Sequence, residues 1–415
     1  MRIFDGAKAT RFVSGLEQRG ATDLAKVEPT VRRIVKNVRR NGDRALRRYA
    51  ERLDGLAKNA PLRVREEELQ DAWRQTPPKL QNAIAHAAAN IRRYCEWQKP
   101  EEWRREVQPG VCVGQLVRPL ESVGCYVPGG RYPLPSTVLM TVIPAQVAGV
   151  ERIRVVSPQP AAVTMAAAAY VGVTEFYRIG GAQAIAALAY GTKNIARVSK
   201  IVGPGNRYVT AAKKMVAFDS AIEFLAGPTE GLFISDHGDA AFIASDLVAQ
   251  GEHDPEALCI FITTSRTLAK NVDREVRVRT RGNPIARQSL SRRGAILVVP
   301  TLDVAVEIAN RIAPEHLTLP AALAAGVQNA GSIFLNEFSP QAAGDYISGP
   351  NHVLPTGGMA RVRGGLSVLD FVRIISCQEV SSKGMRQIAP TAIALAEAEG
   401  LCGHAESLRV RYSHA

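Results

Sequence analysis

The chain has 415 residues, of which 46% are hydrophobic and 22% charged, so it can bury more than one sizeable core and is neither disordered nor fibrous. The 52 Lys and Arg outnumber the 39 Asp and Glu and leave a net charge of +13, a surplus that attracts nucleic acid or anionic small molecules. No apolar run reaches membrane-spanning length and the start, Met1 to Gly6, lacks the apolar centre of a signal peptide, so a cytoplasmic protein with no membrane partner is expected.

Residues 1–30 read as an N-terminal extension. Basic residues crowd into 31–48 and alternate with apolar ones at helical spacing, the pattern of a solvated helix face, with a turn at Asn41-Gly42-Asp43. Helical patterns continue through 66–75 and 80–94 and carry no chemistry of their own. A short β-like run over 122–127 is stopped by Pro128-Gly129-Gly130, a sharp turn at a strand end, where open α/β sheets bind ligands. Helices over 134–150, 161–171 and 183–190 then alternate with strands over 152–157, 175–179 and 200–202, which predicts βαβ units on a parallel sheet. Glycine marks the turns at Gly129-Gly130, Gly180-Gly181 and Gly203-Pro204-Gly205-Asn206. None spells the Gly-x-Gly-x-x-Gly fingerprint of dinucleotide binding, although backbone N–H groups at such turns can still meet a nucleotide.

An apolar segment over 224–235, broken by Ala226 to Glu230, precedes a helix over 240–249. Strands over 257–263, 295–299 and 332–335 then alternate with helices over 266–279 and 302–312, and beyond Asp370 the texture becomes polar and helix-rich. The predicted fold class is therefore α/β, with two doubly wound, Rossmann-like domains that lack the dinucleotide fingerprint and small helical parts at both termini. The last ~45 residues are too few for an independent core and are expected to pack on the rest of the chain or on a partner.

Six cysteines, Cys95, Cys112, Cys125, Cys259, Cys377 and Cys402, are scattered without a two-residue spacing, against a zinc ribbon, a redox dithiol or a disulfide framework. Other residue types carry the chemistry. Gln250 falls three after Leu247 and seven after Ile243, on the apolar face of its helix, where an amide must find partners in the core or bind something. His253 follows at the helix end set by Gly251 and Asp254-Pro255, as a core histidine or, with Gln250, part of a metal site. Glu315-His316 puts a carboxylate beside an imidazole after a helix, suited to acid and base work or to capping. Asp345, in the glycine-punctuated run from Gly344 to His352, is a metal ligand or part of a long turn. Glu399 and His404 read, on spacing alone, as surface residues.

Taken in order, Gly203-Pro204-Gly205-Asn206, Leu225 to Glu230, Gln250-Gly251-Glu252-His253, Pro314-Glu315-His316-Leu317, Gly344-Asp345-Tyr346 and Asn351 to Thr356 resemble the motifs of histidinol dehydrogenase, over roughly residues 30–412. The resemblance implies a homodimeric, zinc- and NAD-dependent enzyme that oxidises L-histidinol to L-histidine through the aldehyde. It implies one Zn2+ per subunit on Gln250, His253, Asp345 and His404, and Glu315 and His316 as the acid/base pair. It also implies Thr229, Gln250, His253, His316, Asp345, Glu399 and His404 around the substrate, and Tyr126, Gln183 and Asn206 against NAD. Thr229 stands where the family usually has serine, a change that keeps the hydroxyl, and Gly251 replaces a common alanine.

The division expected from pattern and resemblance is an extension over 1–30, a metal and substrate domain from 31–124 with 229–369, an NAD-contacting domain over 125–228, and a tail over 370–415 packed on the partner subunit, whose Glu399 and His404 would complete composite sites. A paralogous zinc dehydrogenase of another polar alcohol, such as a sulfonated diol, would keep the zinc and base residues but change the substrate-end pair, and both Glu399 and His404 are retained. A nucleic-acid-binding protein built on the basic helices leaves Glu315-His316 unexplained. No nucleic-acid partner is expected.

Overall fold

The computed structural model describes all residues except 18, 20–23, 130 and 131, so Gly130 of the expected turn lies outside the described residues. The chain begins with β1 (Arg2–Asp5), α1 (Gly6–Glu17), α2 (Glu28–Leu53), β2 (Arg63–Val64), α3 (Glu66–Gln75) and α4 (Pro78–Gln98). A hairpin of β3 (Trp103–Gln108) and β4 (Val111–Pro119) follows. Then come β5 (Ser122–Tyr126), α5 (Pro135–Ala148), β6 (Arg152–Val156), α6 (Ala162–Tyr170), β7 (Glu175–Tyr177), α7 (Gly181–Tyr190), β8 (Lys200–Val202), α8 (Arg207–Val216) and β9 (Ala221–Ile222). The second alternating run is β10 (Glu230–Ile234), α9 (Ala240–Gly251), β11 (Leu258–Thr263), α10 (Arg266–Arg279), α11 (Pro284–Arg292), β12 (Ala295–Val298), α12 (Leu302–Ile312), β13 (His316–Leu319) and β14 (Ser332–Leu335). The chain closes with α13 (Gln341–Tyr346), β15 (Val372–Val380), α14 (Ser382–Ala398) and α15 (Cys402–Ser413).

Two six-stranded sheets carry the molecule, ordered β2-β7-β6-β5-β8-β9 and β1-β12-β11-β10-β13-β14. In each, the chain winds outward from a central strand, β5 or β10, and crosses back to the other side. All pairings are parallel except β2 on β7. Strands such as β5, β10 and β11 are buried along their whole length, which is why they read as continuous apolar runs and not as alternation. One face of the first sheet packs Val123, Cys125 and Val155 against α3 to α6, while the other packs Tyr126, Val156 and Tyr177 against α2, α7 and α8. The second sheet is likewise covered by α1 and α12 on one face and α9 to α11 on the other. The mixed α/β expectation thus holds, with parallel sheets at its centre.

The expected grouping of 31–124 with 229–369 does not follow the cores. Strand β2 joins the first sheet through Val64 and Phe176, and α2 to α4 contribute Leu46, Leu69 and Ile91 to that sheet's two cores. Val353, Leu366, Val368 and Phe371 pack there as well. A helical period shows that a face is buried but not which sheet buries it. Nor is the start of the chain an extension, because β1 pairs along β12 and α1 places Val13 and Leu16 in the second core. The tail is not purely helical: β15 pairs antiparallel with β4, and β4 with β3, in a third sheet. Among the described residues no helix is long and apolar enough to cross a membrane.

The expected turn in the basic region is a reversal inside α2. Gly42 leaves helical geometry at φ 49°, and Asn37 donates to the Tyr49 hydroxyl at 3.0 Å although the two are 12 residues apart. Along a straight helix they would be separated by roughly 18 Å. Glycine allows the left-handed φ at which the halves fold together.

Candidate active site

Strands β10 and β13 lie side by side with Gly231 opposite His316, so the starts of both strands open onto one place. Ala313 ends α12 in a left-handed conformation, and the chain enters β13 through Pro314 and Glu315. Glu315 is buried, and its Oε2 accepts from the Thr229 hydroxyl at 2.8 Å and from the Glu230 backbone N–H at 2.9 Å. Glu230 is anchored in turn by the Arg19 guanidinium, whose Nε and Nη2 reach its two oxygens at 2.8 and 2.9 Å. These bonds fix the orientation of the Glu315 carboxylate.

His316 is 3% exposed, its Nδ1 lying 3.3 Å from the Glu230 carbonyl and 3.6 Å from Glu315 Oε2. Its Nε2 lies 3.6 Å from Asp345 Oδ1 and makes no hydrogen bond among the described residues. Phe334 stacks on the ring at 5.9 Å between centroids and 29° between planes. Burial works against a charged imidazole, but the charges and contacts of Glu315 and Asp345 outweigh it and push the His316 pKa up to about 10. Burial likewise opposes ionisation of Asp345, yet its contact with His316 and the imidazoles of His316, His352 and His253 hold its carboxyl below the usual carboxylate range.

Gln250 behaves as its spacing predicts. It is 1% exposed on the inward face of α9, and its Oε1 has no hydrogen-bond partner among the described residues. A buried amide oxygen left without a donor costs of order 1–3 kcal/mol, so this atom is poised for an electrophile. Its place beside His316 depends on Gly231, since a Cβ there would sit 3.0 Å from Gln250 Cγ and 3.0 Å from Gln341 Oε1. Helix α13 packs on α9 and brings Asp345 to the same spot. His352 supports that helix, its Nδ1 2.9 Å from the Asp345 backbone carbonyl and its Nε2 3.4 Å from the Thr137 hydroxyl.

The structure thus brings together Thr229, Gln250, Glu315, His316 and Asp345. His253 lies just past the end of α9, exposed, yet close enough for its charge to act on Asp345. Glu399 and His404 are exposed on the tail, and among the described residues no hydrogen bond or ion pair ties either side chain to the cluster. Among the described residues, moreover, no group of three or more His, Cys, Asp or Glu is spaced to hold a metal. The unpartnered Gln250 oxygen and the charged Asp345 nonetheless fit a cation that takes oxygen donors.

Tyr126, Gln183 and Asn206 are brought together at the C-terminal edge of the first sheet, where they line a cavity of about 460 Å³. Asp54, which no spacing rule singles out, organises its floor by accepting from the Gly180 backbone N–H at 3.0 Å and from Gln183 Nε2 at 3.0 and 3.2 Å. Burial raises the Asp54 pKa, and these hydrogen bonds oppose the rise. Tyr126 accepts from the Gly181 N–H at 3.1 Å, and burial pushes its phenol up to about 12. Gly231, Phe334 and Asp54 were missed in the sequence because each acts through a neighbour distant along the chain, whereas His352 was already visible inside the Asn351-His352 string.

Comparison with known proteins gives a consistent result. The family model described as histidinol dehydrogenase matches residues 17–412. The histidinol dehydrogenase of Methanothermobacter thermautotrophicus is 47% identical over 97% of this chain and 97% of its own length, and that of Methanosarcina mazei is 45% identical over 94% and 93%. The crystal structure of histidinol dehydrogenase from Elizabethkingia anophelis superposes with a TM-score of 0.93 at 34% identity, covering 100% of this chain and 98% of the other.

Proposed function

The chain belongs to the histidinol dehydrogenase family, oxidoreductases of histidine biosynthesis, and from that premise we infer that its cluster carries out the zinc-dependent, NAD-linked oxidation of L-histidinol to L-histidine through L-histidinal. The observation that carries this reading is the buried Glu315–His316 pair facing Asp345 and the unpartnered Gln250 oxygen. In this reading the two wound sheets are Rossmann-like units. The first offers the cavity of Tyr126, Gln183 and Asn206 to NAD, and the second holds the metal and the substrate.

Gln250, His253 and Asp345 would hold the zinc from this chain, and His404 from a second copy. When bound, the metal would supply an electrophilic anchor for the substrate's imidazole and amine, and NAD+ would take up two electrons at each oxidation. With a cation held at Asp345 to offset the carboxylates that favour the charged ring, His316 would be neutral and accept the proton of the alcohol, and Glu315 beside it stabilises the imidazolium so formed. Glu315, held by Thr229 and the Glu230 N–H, deprotonates the water that adds to the aldehyde. Thr229 and Gln250 line the substrate's path, and the burial of Glu315 and His316 keeps bulk water from the reactive aldehyde between steps.

A homodimer with composite sites follows from the same reading. The metal set is incomplete within the described residues of one chain, and the tail that carries Glu399 and His404 leaves Ile374, Leu395, Leu401 and Val410 exposed. A second copy packed on that surface would cover them and deliver both residues to the cluster. The assay is NADH formation from L-histidinol, with and without chelator and with zinc restored. Full activity in chelator, with no metal in the pure protein, would refute the metal-dependent reading.

A further inference from the structure

The cavity at the C-terminal edge of the first sheet stands where open α/β sheets commonly bind the phosphates of a nucleotide on backbone N–H groups at a helix N-terminus. Here several of those groups already have partners within the chain. At the start of α7 the Gly180 N–H donates to the Asp54 carboxylate at 3.0 Å and the Gly181 N–H to the Tyr126 hydroxyl at 3.1 Å. At the start of α8 the Tyr208 and Val209 N–H groups donate to the Asn206 side-chain oxygen at 3.0 and 3.3 Å. In the third glycine-marked turn, the Gly203 N–H donates to Glu223 at 2.8 Å. Asp54 also puts a carboxylate where a phosphate would otherwise sit, and like charges in a partly buried place repel strongly. The absence of the glycine fingerprint in the sequence thus has a structural counterpart: the anion position of this unit is filled from within.

Two cations face the same cavity without a partner. Arg33 and Arg52 both line it, both are exposed, and among the described residues neither makes a hydrogen bond or an ion pair. On a straight helix they would stand roughly 28 Å apart. The reversal at Gly42 folds the two halves of α2 together and brings both guanidinium groups to one rim. Beyond Arg33 the surface continues as a groove lined by Arg32, Lys36 and Arg40, so the positive potential extends outward from the cavity mouth.

We propose that Arg33 and Arg52 hold the phosphates of the dinucleotide, replacing the backbone cradle that Asp54, Tyr126 and Asn206 have closed. The inference rests on the reading that the dinucleotide lies in this cavity. Guanidinium groups suit the task because their planar fork matches phosphate oxygens bidentately, which backbone N–H groups otherwise do. The assignment also gives a function to the basic, amphipathic α2.

The test measures binding directly, by NADH anisotropy on the full-length protein, with adenosine followed by competition. A Tyr208→Trp background supplies an emission at the cavity rim. Each of Arg33→Gln and Arg52→Gln is expected to weaken NADH roughly 5- to 10-fold, and the double variant about 30-fold or more, with adenosine unchanged. Arg33→Lys should recover part of the loss, since it keeps the charge but not the fork. NADPH tells the two phosphate sources apart: an equal loss for NADH and NADPH assigns the arginines to the pyrophosphate, and a larger loss for NADPH to a 2′-phosphate. Unchanged NADH and NADPH binding in the double variant, while the tryptophan at 208 still responds to NADH, overturns the role of the arginines alone. A loss of adenosine equal to that of NADH overturns it too. If NADH binds and the tryptophan at 208 does not respond, the dinucleotide lies elsewhere and both this inference and the reading beneath it fall.

Discussion

Replacing Gly231 with alanine tests whether the Gln250 amide is held in place for a metal. Gly231 has no left-handed φ, so the substitution adds a methyl group without straining the backbone. That methyl would stand 3.0 Å from Gln250 Cγ and from Gln341 Oε1, whereas carbon contacts relax at about 3.5–4.0 Å, so something must yield by about half an ångström. Gln341 is pinned by its bond to the Thr318 hydroxyl at 3.0 Å, which leaves Gln250 to move. Ligand distances in a metal site tolerate only about 0.2 Å. The expected outcome is a zinc affinity lowered roughly 10- to 100-fold, the size of effect produced by disturbing the shell that orients a ligand. The accompanying loss of stability should be ~1–3 kcal/mol from overpacking. Competition with a fluorescent zinc chelator measures the first, and urea denaturation of the metal-free protein the second. Zinc affinity within a factor of about two of wild type, in a variant that folds, would remove Gln250 from the metal site.

Two further predictions concern the division of labour. Glu315→Gln should spare oxidation of L-histidinol to the aldehyde and depress oxidation of supplied L-histidinal by ~100-fold or more, because only the second step needs an activated water; equal losses on both substrates would contradict the assignment. His316→Ala and His404→Ala, each inactive alone, should recover roughly a quarter of wild-type activity when unfolded together and reassembled, because in half of the dimers one site carries neither lesion; activity that stays at background would mean each chain builds its own site.

What the sequence made legible follows from burial. Strands β5, β8, β11 and β12 were readable as short apolar runs between turns, and helices α10 and α12 because their apolar residues recur at helical spacing. Gln250 was readable for the same reason, as a polar residue on an apolar stripe. The third sheet was not. Trp103–Gln108 and Val372–Val380 are largely exposed in one chain, so no alternation of apolar and polar residues marks them as strands. The role of Asp54 was equally hidden, since it depends on the fold bringing it to Gly180 and Gln183, more than a hundred residues away.

The exposed third sheet and the unpartnered Gln250 oxygen both bear on the proposed dimer. Strand β15 presents Ile374 and Ile375 at 53% and 43% exposure, and α14 and α15, which follow it directly, add Leu395, Leu401 and Val410. Exposed apolar side chains in this number along one tail suit the contact surface proposed above. Glu399 and His404, which the proposed reading draws from this tail, are exposed, whereas Gln250, whose oxygen has no partner among the described residues, is buried. In the proposed reading, two copies related so that the tail of one reaches the cluster of the other would satisfy both at once. In that reading the metal would bridge the subunits, so zinc binding and dimerisation are expected to be linked: each should strengthen as the other is supplied.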